Sequence, residues 1–332
     1  MAAHSIAADD VKRILVIRND NIGDLVCTTP MIHRLRSVYP KAWIGVLANE
    51  YNAEVLRGNA DIDDISRYLK AKHRPDGRWK ISVWLDTAWT LLKLRRKRID
   101  LLIIASTGGH RFARWIGARQ ILAAKGSEGH EVERCMALLR PLAVPPDSPG
   151  PVRLIPDALT RNQLAKHFPP AAGPLIGLHL SARKPSQRWP EARFVELCEA
   201  IHRRHPSARI VLFWSPGSES NPTHPGDDDK AMRISAAVQG LPVFPMPTGT
   251  LRELIAATSL CDSVICADGG TMHIAAGLNK PIVCLFGNSG LEQWHPWGVN
   301  YHAIQPESLD VSDILVTQVL EKLENLLLNA TG

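Results

Sequence analysis

Four short segments of this 332-residue chain carry residue types suited to handling protons and phosphate. The first, Arg18-Asn19-Asp20-Asn21-Ile22-Gly23-Asp24, follows an apolar run at residues 14–17. A carboxylate just inside a helix start can act as general base toward a hydroxyl. It can equally accept from helix N–H groups that lack partners, and residue type alone leaves both open. The second is Cys266-Ala267-Asp268-Gly269-Gly270-Thr271-Met272-His273. Two glycines at a helix start let a ligand approach backbone N–H groups, and the helix dipole there favours a phosphate or diphosphate. Thr271 adds a hydroxyl, Asp268 either caps the helix or holds sugar hydroxyls, and His273 reads first as a packed, hydrogen-bonded histidine. The third is His179-Leu180-Ser181-Ala182-Arg183-Lys184-Pro185-Ser186-Gln187-Arg188-Trp189-Pro190, where a hydroxyl precedes three cations. That combination suits an anionic ligand, with a solvated basic loop as the alternative. The fourth, Gly287-Asn288-Ser289-Gly290, is a polar turn with little meaning alone.

Several chemistries are excluded. The first turn has Gly23 where a dinucleotide fingerprint needs three spaced glycines, and no phosphate-binding G-x-x-x-x-G-K-[ST] occurs. The six cysteines form no C-x-x-C pair and lie largely in apolar runs, so they read as buried thiols. The clusters Asp61-Ile62-Asp63-Asp64 and Asp227-Asp228-Asp229 have a metal-like appearance, but acids beside turns and helix starts are favoured without any metal.

The elements that must position these segments follow from hydropathy. Apolar runs at residues 14–17, 43–48, 65–69, 101–105, 121–122, 175–180, 210–214, 264–267 and 281–286 alternate with helical patterns. Continuous apolar strands between helices imply parallel sheets covered on both faces. Nine prolines between residues 141 and 174 mark an inter-domain linker. The expected plan is an α/β fold: a domain over residues 1–150, a linker over 151–174, a second domain over 175–310, and a terminal amphipathic helix over 311–332. Ligands of such sheets bind beyond the strands' carboxyl ends, which places all four segments at one kind of location, the cleft between the domains.

Charge separates the halves. Residues 1–150 hold 24 Lys+Arg and 16 Asp+Glu, a balance of +8, and residues 151–332 hold 15 and 17, a balance of −2. Residues 67–98 alone carry 11 basic and 2 acidic residues. The first half therefore expects an anionic partner. Within it, residues 78–98 place Ile81, Trp84, Leu85, Ala88, Trp89, Leu91 and Leu92 on one broad helical face, ahead of Lys93, Arg95, Arg96, Lys97 and Arg98. This face either packs on the sheet or meets an anionic bilayer. No apolar run approaches the ~18 residues of a membrane span, and residues 1–10 do not read as a secretory signal, so a cytoplasmic protein is expected. Aromatic content of 6% and the lack of an RNA-binding signature argue against nucleic acid.

Taken in order, the motifs resemble glycosyltransferase family 9, the bacterial lipopolysaccharide heptosyltransferases. The resemblance rests on Ile14-Leu15-Val16-Ile17-Arg18 with Ile22-Gly23-Asp24 and Thr29-Pro30, on Arg188-Trp189-Pro190, and on Asp268-Gly269-Gly270-Thr271-Met272-His273-Ile274-Ala275-Ala276 with Phe286-Gly287. It implies a GT-B fold: two Rossmann-like domains whose parallel sheets face across a cleft, acceptor on the first domain and nucleotide-sugar on the second. The final helix would cross back to the first domain. Asp24 matches the family's catalytic base, deprotonating an acceptor hydroxyl that displaces the donor's diphosphate with inversion, without a metal. Donor contacts would come from Ser181, Lys184, Gln187, Arg188, Asp268, Gly269, Gly270, Thr271, His273 and Ser289. Acceptor contacts would come from Arg18, Asn21, Gly23, Lys70, Lys72, Arg74 and Arg78.

The implied reaction is heptose transfer from ADP-heptose to an anionic lipopolysaccharide core or lipid A acceptor, with no cofactor, at the inner face of the cytoplasmic membrane. Two departures stand out. The family's Lys before Arg-Trp-Pro is Gln187 here, leaving Arg183, Lys184 or Arg188 to supply the charge, and Asn288-Ser289 replaces its Pro-Thr. Alternatives are another nucleotide-sugar, a protein acceptor, a GT-B-like epimerase acting on donor alone, or a noncatalytic binder of anionic ligands on a decayed scaffold.

Overall fold

A computed structural model describes residues 10–69, 79–123, 128–142, 148–169, 172–221 and 226–329. The chain divides into two compact units, Met1–Ile155 and Pro156–Gly332. The first contains β1 (Arg13–Ile17), α1 (Ile22–Cys27), α2 (Thr29–Val38), β2 (Trp43–Asn49), β3 (Asp64–Tyr68), α3 (Lys80–Arg96), β4 (Ile99–Ile104), α4 (His110–Ile116), β5 (Ala118–Ala123) and α5 (Glu131–Ala137). Its five strands are parallel in the order β3-β2-β1-β4-β5. Ile14 to Ile17 in β1 are fully buried and pair with β2 on one side and β4 on the other. A strand covered on both faces requires that unbroken apolar run. Chain order reverses between β1 and β4, and at such a switch point the carboxyl ends of the two strands leave a crevice.

The second unit contains α6 (Ala158–Ala165), β6 (Leu175–His179), α7 (Glu191–Arg204), β7 (Arg209–Trp214), α8 (Asp228–Ala237), β8 (Val243–Pro247), α9 (Leu251–Leu260), β9 (Ser263–Ala267), α10 (Gly270–Gly277), β10 (Ile282–Leu285), α11 (Leu291–Trp294), β11 (Tyr301–Ile304) and α12 (Val316–Asn329). Its six parallel strands run β11-β10-β9-β6-β7-β8, with the switch point between β6 and β9. Counted within the unit and read from β8, this is the 3-2-1-4-5-6 order of a Rossmann sheet. Both edge strands were missed in the sequence. β8 contains Pro245 and Pro247, which remove ladder donors and are tolerated only at an edge, and β11 is four residues of mixed polarity.

The proline-rich segment is anchored on both sides of the division: Val152 and Leu154 are buried, the Arg153 N–H donates to Thr29 Oγ1 at 3.1 Å, and α6 packs on α9. The final helix has its apolar stripe within the second unit. Val316, Val319, Leu323 and Leu326 sit in the second unit's core, against α7, β10 and β11. Trp189 belongs to the same core, and its Nε1–H donates to the Ile314 carbonyl at 3.0 Å. The segment leading into α12 is thereby tied to the loop that follows β6.

Leu323 is fully buried in this core. Leu323→Ala is expected to cost the second unit about 2–5 kcal/mol through a residual cavity. Denaturant titration followed by hydrogen exchange should locate that loss in β6–β11 and α12, and leave protection of β1–β5 unchanged.

Candidate active site

At the first unit's switch point a buried arginine organises the loop after β1. Arg18 is 3% exposed. Its Nη1 donates to the Ala105 carbonyl at the end of β4, and its Nη2 donates to Asp24 Oδ1 at 2.5 Å and Glu131 Oε1 at 2.8 Å. Asp20 Oδ2 lies 3.5 Å from Nε. Burial opposes the guanidinium's charge, and the carboxylates around it more than restore it, so its pKa is raised. Glu131 reaches this place because α5 begins with a reciprocal cap: His130 Nδ1 accepts from the Val132 N–H, and Glu133 accepts from the His130 N–H.

Asp24 stands in the first turn of α1. Its Oδ2 accepts from the backbone N–H of Asn21 at 3.2 Å and from Asn21 Nδ2 at 3.1 Å. Of the two roles left open by the sequence, the capping one is present: Oδ2 accepts at the helix cap, while Oδ1 pairs with Arg18. Three donors occupy roughly four acceptor positions of a carboxylate, and the side chain is 14% exposed, so Oδ1 keeps a lone pair for a hydroxyl. The loop itself is pinned from β2 and the turn beyond it. Asn49 Nδ2 donates to the carbonyls of Asn19 and Asp20, and Asn52 Nδ2 to that of Asn21.

In the second unit the loops after β6, β9 and β10 converge. Gln187, 5% exposed, donates through Nε2 to Asp268 Oδ2 at 2.8 Å and to Ser289 Oγ at 3.0 Å. Lys184 Nζ, exposed, donates to the same Ser289 Oγ at 3.3 Å. Gly287 is required for this closure, because a Cβ there would stand 2.2 Å from the Ser186 carbonyl oxygen. A Cβ on Gly269 would meet nothing within 4 Å, so the approach to the N-terminus of α10 is open. Burial pushes the Asp268 carboxyl up, against hydrogen bonds from Ser289 and Gln187 and the charge of Lys184. Beneath, Thr271 Oγ1 lies 3.3 Å from His179 Nε2, and His273 is buried with its ring edge-on to Trp294.

A second buried pair flanks this loop. Lys230 donates to the Trp189 carbonyl at 3.0 Å and sits over the Phe194 ring. Burial lowers its pKa and raises that of Asp227, each opposed by the other's charge. Ser181 Oγ accepts from the Ser215 N–H at 2.9 Å and bonds to Asp227. Arg188 turns back onto its own loop, donating from Nε to the Ala182 carbonyl.

The placement of the expected residues is uneven. Asp24, Asn21 and Gly23 stand together on α1 and its cap, with Asn21 exposed and Gly23 buried. Arg18, expected among the acceptor contacts, is buried and paired with the carboxylates of Asp24 and Glu131. Lys70, Lys72, Arg74 and Arg78 lie outside the described residues. Lys184, Gln187, Asp268, Gly269, Gly270, Thr271 and Ser289 gather at the carboxyl ends of β6, β9 and β10, whereas Ser181 and Arg188 face Asp227. The cation beside Asp268 and Ser289 is Lys184, and Gln187 is a latch between the three loops.

Glu131, Asn49, Asn52, Asp227 and Lys230 were missed as site residues. Only Asp227 stood in a visible cluster, and the others join the site by long-range pairing. The acid clusters are structurally committed: Asp61 to His33, Asp63 to Arg36 and the Ile44 N–H, and Asp228 to Trp214 Nε1 and the Gly217 N–H. Among the described residues no three His, Cys, Asp or Glu side chains group as metal ligands. The six cysteines are buried thiols, as the sequence implied, and burial pushes Cys135 beside Arg18 up to about 11.

A family model described as glycosyltransferase family 9 (heptosyltransferase) matches residues 102–321. Over 302 residues the chain is 25% identical to lipopolysaccharide heptosyltransferase 1 of Pseudomonas aeruginosa, covering 83% of this chain and 78% of that protein. Its fold is similar to that of the family 9 glycosyl transferase from Veillonella parvula, with a TM-score of 0.83 and 21% identity over 98% of this chain and 99% of that one. It is also similar to E. coli ADP-heptose lps heptosyltransferase II, with a TM-score of 0.77 and 21% identity over 96% and 100% of the two chains. These solved structures match the pair of parallel-sheet units, a GT-B fold.

His179 gives this site a pH signature. Burial, aided by the charge of Lys230, lowers its pKa from 6.5 to about 3. The unfolded chain binds the proton more readily, so stability is full above pH 6.5 and falls as pH drops toward 3, at up to about 1.4 kcal/mol per unit. Melting temperature measured between pH 7.5 and 5 should fall, and His179→Gln should flatten that slope. An unchanged slope would place the acid sensitivity elsewhere.

Proposed function

This chain belongs to glycosyltransferase family 9, and from that premise we propose that it is an inverting heptosyltransferase of lipopolysaccharide core assembly. It moves L-glycero-D-manno-heptose from ADP-heptose onto an anionic core or lipid A acceptor, needs no metal or further cofactor, and works at the inner, cytoplasmic face of the membrane where such an acceptor is presented.

The observation that carries this reading is the setting of Asp24: paired with Arg18 through Oδ1, fixed by Asn21 through Oδ2, and 14% exposed as a side chain. In the proposed step Oδ1 takes the proton of an acceptor hydroxyl. The oxygen bonds to the anomeric carbon of heptose from the face opposite the diphosphate, the bond from that carbon to the diphosphate oxygen breaks, and ADP leaves with the electron pair. Lys184 and the open N–H groups at the start of α10 stabilise the charge that develops on the diphosphate. Asp268, latched by Gln187 and Ser289, holds donor hydroxyls. The excess of +8 in the first half favours a polyanionic acceptor there. Gln187 was the sequence's argument for a noncatalytic scaffold. With Lys184 supplying the ammonium beside Ser289, that argument loses its force.

Purified protein should be incubated with ADP-heptose and with other ADP-, UDP- and GDP-sugars, with and without heptose-free lipopolysaccharide. We expect ADP-heptose alone to raise the melting temperature, and ADP release only when acceptor is present. Selectivity for another nucleotide-sugar would move the donor, turnover of donor alone would make the protein an epimerase, and a protein acceptor would replace the lipid one. Asp24→Asn should lower transfer about 10²–10⁴-fold while keeping the melting shift with donor. Wild-type turnover in that variant would remove Asp24 as the base.

A further inference from the structure

The α3 helix carries apolar residues on its outward side as well as on its inward one. Its inward side is narrow, with Val83 and Leu94 buried and Leu91 half-buried. Its outward side carries Ile81, Leu85 and Leu92 at helical spacing, flanked by Trp84 and Trp89. Ile81, Trp84, Leu85 and Trp89 each keep more than half of their surface exposed. A solvated helix places charged residues there. The patch continues onto α4, which packs against α3: Trp115 is 70% exposed, and Arg95 Nη1 donates to its carbonyl at 2.8 Å. Cations border the patch: Lys93, Arg95 and Arg96 on the last turn of α3, and Arg114 beside Trp115.

We propose that this α3–α4 face inserts into the interfacial layer of an anionic phospholipid bilayer, with α3 lying in the plane of the membrane. Tryptophan combines a large apolar body with a polar N–H and favours that layer. The aliphatic stripe would sit about 5–10 Å into the headgroup and acyl boundary, and the bordering cations would meet lipid phosphates. A second copy of this chain is the poorer occupant. A two-fold contact would oppose each basic border with itself or its equivalent, in the half of the chain that carries +8. Contact through charge alone is also a poorer account, because it leaves the outward apolar stripe unexplained. The inference rests on the membrane location in the reading above and is independent of sugar transfer.

The experiment is flotation of the full-length protein with phosphatidylglycerol/phosphatidylethanolamine vesicles, compared with phosphatidylcholine vesicles. Trp84→Ser and Trp89→Ser are combined in one variant, since both side chains are exposed and their loss should not disturb the core. Wild type is expected to float with anionic vesicles only. Once bound, it should stay bound in a wash of about 1 M salt, where the screening length is ~3 Å. The double variant is expected to partition at least about tenfold less, the loss that two aromatic contacts of this size imply. Equal flotation of the variant, full release by salt, or indifference to anionic lipid would each overturn insertion. So would self-association of wild type that the variant loses, in the absence of vesicle binding, which would make the face a contact between copies. Turnover on a water-soluble truncated acceptor, measured in parallel, should be the same in wild type and variant. Its failure in both would count against the transferase reading and leave the docking result standing.

Discussion

One buried cation holds the first half-site together. Arg18 leaves water at the end of β1 and is compensated by Asp24, Glu131, Asp20 and the Ala105 carbonyl. A buried charge is tolerable only when paired and hydrogen-bonded. The requirement works in both directions, because satisfying Arg18 draws the loop after β1, the end of β4 and the start of α5 to one point. The same guanidinium gives Asp24 its orientation. Structural need and the proposed chemical role therefore fall on one contact, and the polar loop it sits in is braced by Asn49 and Asn52 from the neighbouring strand and turn.

The second unit solves the same problem with neutral parts. Gln187 joins three loops without adding charge, so its amide accompanies a buried Asp268 that burial already pushes toward its neutral form. The cation is displaced by one turn to Lys184, which stays exposed and reaches Ser289. Exposure keeps the ammonium solvated and free to meet an anionic ligand. The close contact at Gly287 and the open space at Gly269 divide the glycines of these turns by purpose. One lets backbone pack on backbone, and the other leaves a helix N-terminus approachable.

The outward face of α3 fits the same division of labour. The half of the chain with the basic excess also has its apolar stripe turned to solvent, next to a helix that shares the pattern through Trp115. With the proposed acceptor anchored in a bilayer, such a surface would concentrate the protein beside it. Among the described residues no helix is long and apolar enough to cross a membrane.

The sequence by itself determined the architecture. Unbroken apolar strands such as residues 14–17 and 101–105 fit only a parallel sheet covered on both faces, and the glycine- and acid-bearing turns after them are local features, readable wherever strand gives way to helix. Asp24, Asp268, Gly269 and Gly270 were visible for that reason. Edge strands β8 and β11 were not, because an edge tolerates prolines and polar residues that a central strand excludes. Tertiary structure alone decided the partners. Glu131 meets Arg18 across 113 residues, and Gln187 meets Asp268 across 81. It also decided that α12 completes the second unit's core and that the apolar stripe of α3 faces outward. Periodicity reports that a helix has an apolar face, and only the packing of the rest of the chain decides what that face meets.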